Sequence, residues 1–340
     1  QPPQVVCITP WTSMEIVDVS GKAHQCCSTW TIGHRGDLVG SSLLGVWNGT
    51  GFRQARRVMA SGDLASLCRP ICPRLADHQY AEKHLVIQNG SEPFVQNQMM
   101  MASDIAERRD EVRCKPIYMA VCPSTYCNYD CIMCLHGRTP RRDLPASIWE
   151  ELPDFLPTLR TLTLLGGEPL ANPLVMDFLR RFDREQNPDV AVDLTTNGSL
   201  LTPRALKHMQ RCTFGDITVS LNAGTAEVYE AVQRGIALAE VLSNVDALID
   251  YRRAQRRWFG ISLSFVVQPA NSHSLIQFGE LAHGRRLRIR MLPLNPRGPD
   301  GLDFYDDPEC VGRVLAHLDD FRGWADRHAP DYADEVAATR

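Results

Sequence analysis

The spacing of three cysteines in the middle of the chain constrains its chemistry more than any other feature. Cys127, Cys131 and Cys134 lie in the run CPSTYCNYDCIMC, with three residues between the first pair and two between the second. One short loop can therefore bring all three thiolates to a single metal centre. A structural zinc site is closed by four protein ligands, whereas a 4Fe-4S cluster held by three cysteines leaves one iron open to a small molecule. The spacing favours a cluster that binds a reactive ligand.

A second segment places glycines and an acidic side chain after a strand-like run. Gly166-Gly167-Glu168 follows the apolar residues TLTLL, which have strand composition. Glycine at this place lets the backbone approach a ligand closely. Together with the cysteine loop, this segment resembles the radical SAM enzymes. The resemblance implies two cofactors, a 4Fe-4S cluster and S-adenosylmethionine.

The resemblance also implies roles for individual residues. In that family the open iron chelates S-adenosylmethionine, and one electron from the cluster cleaves it to a 5′-deoxyadenosyl radical that removes a hydrogen atom from substrate. Gly166, Gly167 and Glu168 are then expected to bind the amino group of the cofactor. Met133 occupies a position that is usually aromatic in the family, and its thioether is expected to pack against adenine.

Strand-like and helix-like segments alternate from residue 117 onward, which indicates parallel β/α units. The predicted strands cover residues 117–121, 161–166, 190–196, 216–222, 260–267 and 288–294, and the predicted helices cover 145–156, 172–186, 203–211, 225–233 and 237–256. The resemblance implies an α/β fold, a partial (β/α)6 barrel related to the TIM barrel, over roughly residues 114–300. Active sites of such barrels lie at the carboxyl ends of the strands.

Short polar side chains follow several of these strands, where hydroxyl and amide groups can bind a ribose and a carboxylate. The resemblance assigns five of these positions to the S-adenosylmethionine pocket, the last as a partner for the carboxylate: Thr196, Asn197, Ser220, Asn222 and Arg234. An alternative for Thr195 to Gly198 is a plain turn at the end of a strand, because the pair Asn-Gly favours turns.

A second group of cysteines lies near the start of the chain. The segment that contains them resembles the SPASM domain, an auxiliary iron-sulfur module that usually follows the barrel and here precedes it. The resemblance implies a second 4Fe-4S cluster held by four thiolates, with Cys27 as an alternative to its neighbour: Cys7, Cys26, Cys68 and Cys72. A zinc knuckle with the same four ligands is the alternative.

These features predict four parts of the chain. A SPASM-like auxiliary domain covers residues 1–75, a linker and helix 76–113, the radical SAM barrel 114–300, and a C-terminal cap and helix 301–340. Two further cysteines, Cys212 and Cys310, are candidate hydrogen-atom donors to a substrate radical.

Composition narrows the possible partners. Charged residues make up 22% of the chain and the net charge is −4, so no general basic field would attract nucleic acid. There is no signal-like leader and no apolar run near ~20 residues, which predicts a cytoplasmic protein without a membrane span. The chain is also long enough to fold without disulfides.

The substrate is predicted less directly. No separate peptide-recognition module is visible, and a composition rich in alanine and arginine suits a high-GC bacterium. We therefore expect a small sugar-like substrate from aminoglycoside or nucleoside antibiotic biosynthesis. Its radical would lead to dehydration, dehydrogenation or epimerisation, as in a lyase or an oxidoreductase. A flavodoxin- or ferredoxin-like protein would supply electrons, and a partner reductase is a further candidate.

Two other interpretations remain open at this point. A radical SAM maturase of a ribosomal peptide would share every catalytic motif. A non-catalytic iron-sulfur electron carrier or zinc protein belongs to another class, and it gives no reason for Gly166-Gly167-Glu168.

Overall fold

A seven-stranded parallel sheet forms the centre of the protein. The computed structural model describes residues 7–17, 19–70, 72, 85–134, 140–255, 258–295 and 304–339. The predicted linker of residues 76–113 therefore lies partly outside the described residues. In spatial order the sheet contains β1 (Ser13–Ile16), β4 (Tyr118–Val121), β5 (Thr161–Leu164), β6 (Ala191–Thr196), β7 (Phe214–Ser220), β8 (Gly260–Val267) and β9 (Arg288–Pro293). A separate antiparallel pair consists of β2 (Lys22–Ala23) and β3 (Gly36–Asp37).

Helices connect and cover the parallel strands, as parallel sheets require. They are α1 (Thr9–Thr12), α2 (Leu43–Trp47), α3 (Thr50–Ser61), α4 (Glu92–Ala106), α5 (Ala146–Glu151), α6 (Pro173–Arg181), α7 (Pro203–His208), α8 (Ala226–Gln233), α9 (Leu238–Ala254), α10 (Leu275–Gly284), α11 (Pro308–His328) and α12 (Ala333–Thr339). The start of α7 follows from its sequence, because Thr202 Oγ1 accepts a hydrogen bond from the Ala205 amide and proline occupies the first helical position.

The α/β partial-barrel class is confirmed, with one strand more than the six predicted. The additional strand is β1, which lies in the N-terminal cysteine-rich segment and pairs in parallel with β4. Its four residues alternate between half-buried and buried positions. Such a short strand carries little sequence signal, and its partner lies about a hundred residues away, so the pairing cannot be read locally.

The N-terminal segment also shares the hydrophobic core of the sheet. Trp11, Trp47 and Phe52 are fully buried in the same cluster as the strand residues. Trp47 Nε1 donates a hydrogen bond to the Cys114 carbonyl at 2.8 Å, just before β4. The division of the chain into the four predicted parts stays a prediction. Among the helices that the structure describes, none combines the length and apolar character needed to cross a membrane.

Arg56 connects the N-terminal helices to the segment that leads into β4. Its guanidinium is fully buried and donates to the carbonyls of Pro10 at 2.9 Å, Trp47 at 2.9 Å and Asp110 at 2.8 Å. The guanidinium also lies 4.4 Å from the centre of the Trp47 ring. Burial lowers the pKa of Arg56 to about 10, so the side chain stays charged near neutral pH.

Replacement of Arg56 should therefore destabilise the whole chain. Arg56→Gln leaves buried carbonyls without donors, and we expect the free energy of unfolding to fall by about 2–4 kcal/mol. The matched control is Arg57→Gln, because the Arg57 side chain is 55% exposed and its ion pair with Asp110 is 3.1 Å long. The free energy of unfolding of this control should fall by less than about 1 kcal/mol. Equal losses in urea denaturation would contradict this role for Arg56.

Candidate functional site

The carboxyl ends of the parallel strands meet at one edge of the sheet, here called the carboxyl edge. Residues 122–134, which follow β4 and are here called the cysteine loop, lie at this edge. The segment 166–168 follows β5 there, and Asn197 follows β6. The structure therefore brings these three predicted segments together at one edge of the sheet.

The two glycines after β5 pack directly against the cysteine loop. The Gly167 amide donates to the Ser124 carbonyl at 3.0 Å, and the Glu168 amide donates to the Tyr126 carbonyl at 2.8 Å. A Cβ on Gly167 would overlap the Tyr126 carbonyl oxygen, and one on Gly166 would overlap the Cys122 sulfur. Gly166 also has a φ of 126°, a conformation that favours glycine. The close approach of this segment to the backbone of the cysteine loop thus requires the two glycines, whether or not they also contact a ligand.

Glu168 is a buried carboxylate without a cationic partner among the described residues. Its oxygens accept hydrogen bonds from Thr196 Oγ1 at 2.8 Å, the Asn197 amide at 2.7 Å and the Leu170 amide at 3.1 Å. Burial raises the pKa of Glu168 from its ordinary value to about 7. A buried carboxylate of this kind is suited to bind an ammonium group, because pairing with an opposite charge offsets the free-energy cost of burying the carboxylate.

Asn197 connects the end of β6 to the cysteine loop. Its Nδ2 donates to Asn128 Oδ1 at 2.9 Å and lies 3.7 Å from the Cys127 sulfur, while its Oδ1 accepts from the Ser199 hydroxyl at 2.6 Å. Asn128 Nδ2 in turn donates to the same hydroxyl at 2.8 Å. The amide of Asn197 therefore does more than form a turn, because it fixes the first ligand candidate of the loop. Asn128 and Ser199 were not predicted, although Asn128 directly follows Cys127 in the sequence.

The end of α8 holds the second half of the loop. The Cys131 thiol donates to Gln233 Oε1 at 2.8 Å, and Gln233 Nε2 donates to the Ser220 carbonyl at 2.6 Å. The next residue, Arg234, is exposed and has a left-handed φ of 49°. Its carbonyl accepts from the Asp130 amide at 3.5 Å. Gln233 was not predicted from the sequence, where only the neighbouring Arg234 was expected to take part.

Further polar residues lie at the carboxyl edge, at or just after the ends of β7 and β8. Asn222 has a left-handed φ of 53°, and its Oδ1 accepts from the Val266 amide at 2.7 Å. The Ser220 hydroxyl accepts from Ser264 Oγ at 3.4 Å. Gln268 is 5% exposed, and its Nε2 has no hydrogen-bond partner among the described residues. Because a buried donor without an acceptor is costly, Gln268 favours a polar ligand at this edge.

The three loop thiols form a donor set that suits an iron-sulfur cluster. Burial raises the pKa of Cys127, and it raises that of Cys131 to about 12, with further increases from the charges of neighbouring loop thiols. These thiols influence one another and would repel as thiolates, so a cationic metal centre would favour their ionisation. In the described ranges, however, no three His, Cys, Asp or Glu side chains are already gathered around one metal position, and the Cys131 thiol instead faces Gln233.

The remaining predicted residues of the barrel differ in position. Met133 is half-buried and packs against the hydrophobic core beside the loop. Cys310 is half-buried in the first turn of α11, which begins near the carboxyl edge because Tyr305 donates to the Leu294 carbonyl directly after β9. Cys212 is buried just before β7, and its thiol donates to the Leu179 carbonyl at 3.1 Å. A seven-residue strand separates Cys212 from the carboxyl edge by ~20 Å, so the structure does not bring this hydrogen-donor candidate to the site.

The N-terminal cysteines form a second group of neighbouring thiols. Cys68 pairs through its backbone with Thr31, and burial raises its pKa to about 11, with further increases from Cys7 and then Cys72. Cys26 and Cys27 are half-buried and follow the fully buried Gln25. Cys7 and Cys72 are thus close enough to Cys68 to raise its pKa, although these thiols too are not gathered as metal ligands in the described part of the chain.

Comparison with known proteins gives a consistent family match. A model of the Radical SAM superfamily matches residues 121–263. Mycofactocin maturase MftC of Mycobacterium tuberculosis is 30% identical over 180 residues, which cover 51% of this chain and 44% of that protein. GTP 3′,8-cyclase of Nitrobacter hamburgensis is 27% identical over 212 residues, which cover 59% of each. The structure of Streptococcus suis SuiB bound to S-adenosylmethionine has a TM-score of 0.47 and 16% identity over 74% of this chain and 55% of that chain, values that support no functional inference.

These relatives correct the prediction of the substrate. The chain spans about half the length of the curated relatives that it matches. One of them is named for maturation and the other for cyclisation of GTP. The predicted sugar-like substrate from aminoglycoside or nucleoside antibiotic biosynthesis is therefore wrong, and the description as a carbohydrate lyase or oxidoreductase has no support.

The buried carboxylate predicts a specific pH dependence of stability. The pKa of Glu168 is higher in the folded chain than its ordinary value, so the folded state binds the proton more tightly and loses stability as pH rises through about 7. Glu168→Gln cannot ionise. Between pH 5 and pH 8 its free energy of unfolding should therefore improve relative to wild type, by roughly 3 kcal/mol for the full shift.

Urea denaturation at several pH values measures this difference. The matched control is Glu280→Gln, because Glu280 is an exposed carboxylate on α10. The control should follow wild type at every pH. If the free energies of unfolding of Glu168→Gln and wild type changed in parallel with pH, burial would not raise the pKa of Glu168.

Proposed function

Since the chain contains a radical SAM domain, we propose that it is a radical SAM maturase that modifies a ribosomal peptide. The observation that carries the proposal is the match to mycofactocin maturase over half of this chain. The cysteine-rich N-terminal segment adds support, because a second cluster suits a reaction that removes an electron from the substrate. The N-terminal segment shares the core with the barrel, so both parts can act in one enzyme.

The loop cysteines are proposed to hold the cluster. Cys127, Cys131 and Cys134 supply three thiolates, and the fourth iron stays open for S-adenosylmethionine. When bound, the cluster supplies the electron that cleaves this cofactor to the 5′-deoxyadenosyl radical. Asn197 and Gln233 position two of the three ligands through contacts with Cys127 and Cys131.

Residues around the loop are proposed to bind S-adenosylmethionine. The carboxylate of Glu168 accepts hydrogen bonds from the ammonium group of the cofactor. Thr196 and Asn197 orient this carboxylate of Glu168 through their hydrogen bonds. The exposed guanidinium of Arg234 is available for the cofactor carboxylate. The ribose is proposed to contact Ser220, Asn222 and Gln268, whose Nε2 has no hydrogen-bond partner among the described residues. Met133 is proposed to supply apolar contact for adenine.

The N-terminal thiols are proposed to hold a second 4Fe-4S cluster. The ligand set is Cys7, Cys26, Cys68 and Cys72, with Cys27 as the alternative to Cys26. The proximity of Cys7 and Cys72 to Cys68, shown by their effect on the pKa of Cys68, supports the proposal. A flavodoxin- or ferredoxin-like protein is proposed as the electron donor, and the peptide replaces the small molecule as the substrate partner.

Product analysis under anaerobic conditions tests the proposed function. Protein reconstituted with iron and sulfide is incubated with dithionite, S-adenosylmethionine and either short peptides encoded beside its gene or GTP. We expect such a peptide to increase release of 5′-deoxyadenosine and to change in mass. Cys131→Ala should release none, because it lacks a cluster ligand.

The matched control is Cys122→Ala, which changes a buried cysteine of the same run outside the proposed ligand set. This variant should retain the activity. Stimulation by GTP alone would contradict the peptide proposal and favour a nucleotide cyclase. Absence of 5′-deoxyadenosine from reconstituted wild type would contradict the radical enzyme itself.

A further inference from the structure

Arg35 is a buried cation without a carboxylate partner in the described part of the chain. Its side chain is 8% exposed, and it takes part in none of the ion pairs between described residues. Its Nε donates to Gln25 Oε1 at 2.6 Å, and a terminal nitrogen donates to the Ile32 carbonyl. Two neutral acceptors do not balance a buried charge, which costs several kcal/mol when it is unpaired. The position of Arg35 therefore calls for a nearby anion.

Backbone contacts place Arg35 beside the N-terminal thiols. The Ile32 amide donates to the Leu67 carbonyl at 2.8 Å, and Thr31 pairs with Cys68. Ile32, whose carbonyl accepts from the guanidinium, therefore lies against Leu67, next to Cys68. Burial raises the pKa of Cys68 and lowers that of Arg35, and the opposite charges of the two groups act against both shifts.

Gln25 supplies an independent observation at the same place. It is fully buried, directly precedes Cys26, and uses its Oε1 to hold Arg35. Its Nε2 donor has no hydrogen-bond partner among the described residues. A buried amide normally satisfies such a donor, so its environment also calls for an acceptor, and thiolate or sulfide sulfur can serve as one.

We propose that Arg35, held by Gln25, is the internal counter-ion of the N-terminal iron-sulfur site and raises the reduction potential of its cluster. This inference rests on the proposed second cluster. Thiolate ligands and sulfides give such a cluster a net negative charge, and reduction adds another electron. A fixed guanidinium stabilises the reduced state more than the oxidised state, because reduced cluster carries more negative charge.

Redox titration monitored by electron paramagnetic resonance tests this role. The background is the full chain with Cys127, Cys131 and Cys134 replaced by alanine, so that only the N-terminal site can hold a cluster. In this background Arg35→Gln should lower the ratio of reduced to oxidised cluster about tenfold at a fixed potential, a shift of ~59 mV for a one-electron couple. Arg35→Lys should recover most of the shift, because it restores the charge.

Two controls separate this effect from a structural one. Arg57→Gln removes an exposed cation from the same N-terminal segment and should leave the midpoint potential unchanged. If Arg35→Gln does not fold, Gln25→Met provides the test, because it keeps the guanidinium and removes its Nε acceptor. Gln25→Met is then expected to lower the midpoint potential of the cluster by less than Arg35→Gln would. An unchanged midpoint potential would overturn the role of Arg35.

Iron and acid-labile sulfide contents distinguish failure of the proposed second cluster from failure of the proposed role of Arg35. If the background protein holds a 4Fe-4S cluster and Arg35→Gln leaves its midpoint unchanged, the role of Arg35 is wrong and the second cluster stands. If the background protein holds zinc or no metal, both the second cluster and the role of Arg35 are wrong.

Discussion

The close backbone contact between the cysteine loop and the Gly-Gly-Glu segment is the interaction on which the rest of the site depends. Two amides after β5 bond to carbonyls of the loop, and side chains at Gly166 or Gly167 would prevent that approach. The contact also fixes Glu168, whose carboxylate accepts from the end of β6. Neighbouring parallel strands therefore hold the cysteine loop in a defined position relative to a buried acid. The positions of these groups follow from strand order, because every contributing strand ends at the same edge.

The N-terminal segment is joined to this arrangement through the sheet itself. β1 extends the sheet beyond β4, and Arg56 and Trp47 bond to the chain that leads into β4. The β1–β4 pairing places β1 beside the strand that leads into the cysteine loop.

Local patterns in the sequence were sufficient for the main sheet and for the loop. Alternating strands and helices, the cap at Thr202 and the spacing of Cys127, Cys131 and Cys134 each depend on nearby residues, and they located the carboxyl edge correctly. Gln233 and the pairing of β1 were missed because each acts through contacts distant in sequence. The substrate prediction failed for a different reason, since the motifs describe how the radical is generated and not where it is used.

Binding of S-adenosylmethionine to a cluster in the cysteine loop is the central claim, and electron paramagnetic resonance of the reduced protein tests it most directly. We expect S-adenosylmethionine to change part of the cluster signal in wild type, because it binds the open iron. The same addition should leave the spectrum of Cys131→Ala unchanged, since the remaining signal comes from the N-terminal site. A wild-type spectrum that is identical with and without S-adenosylmethionine, in protein with a full complement of iron and sulfide, would contradict the account.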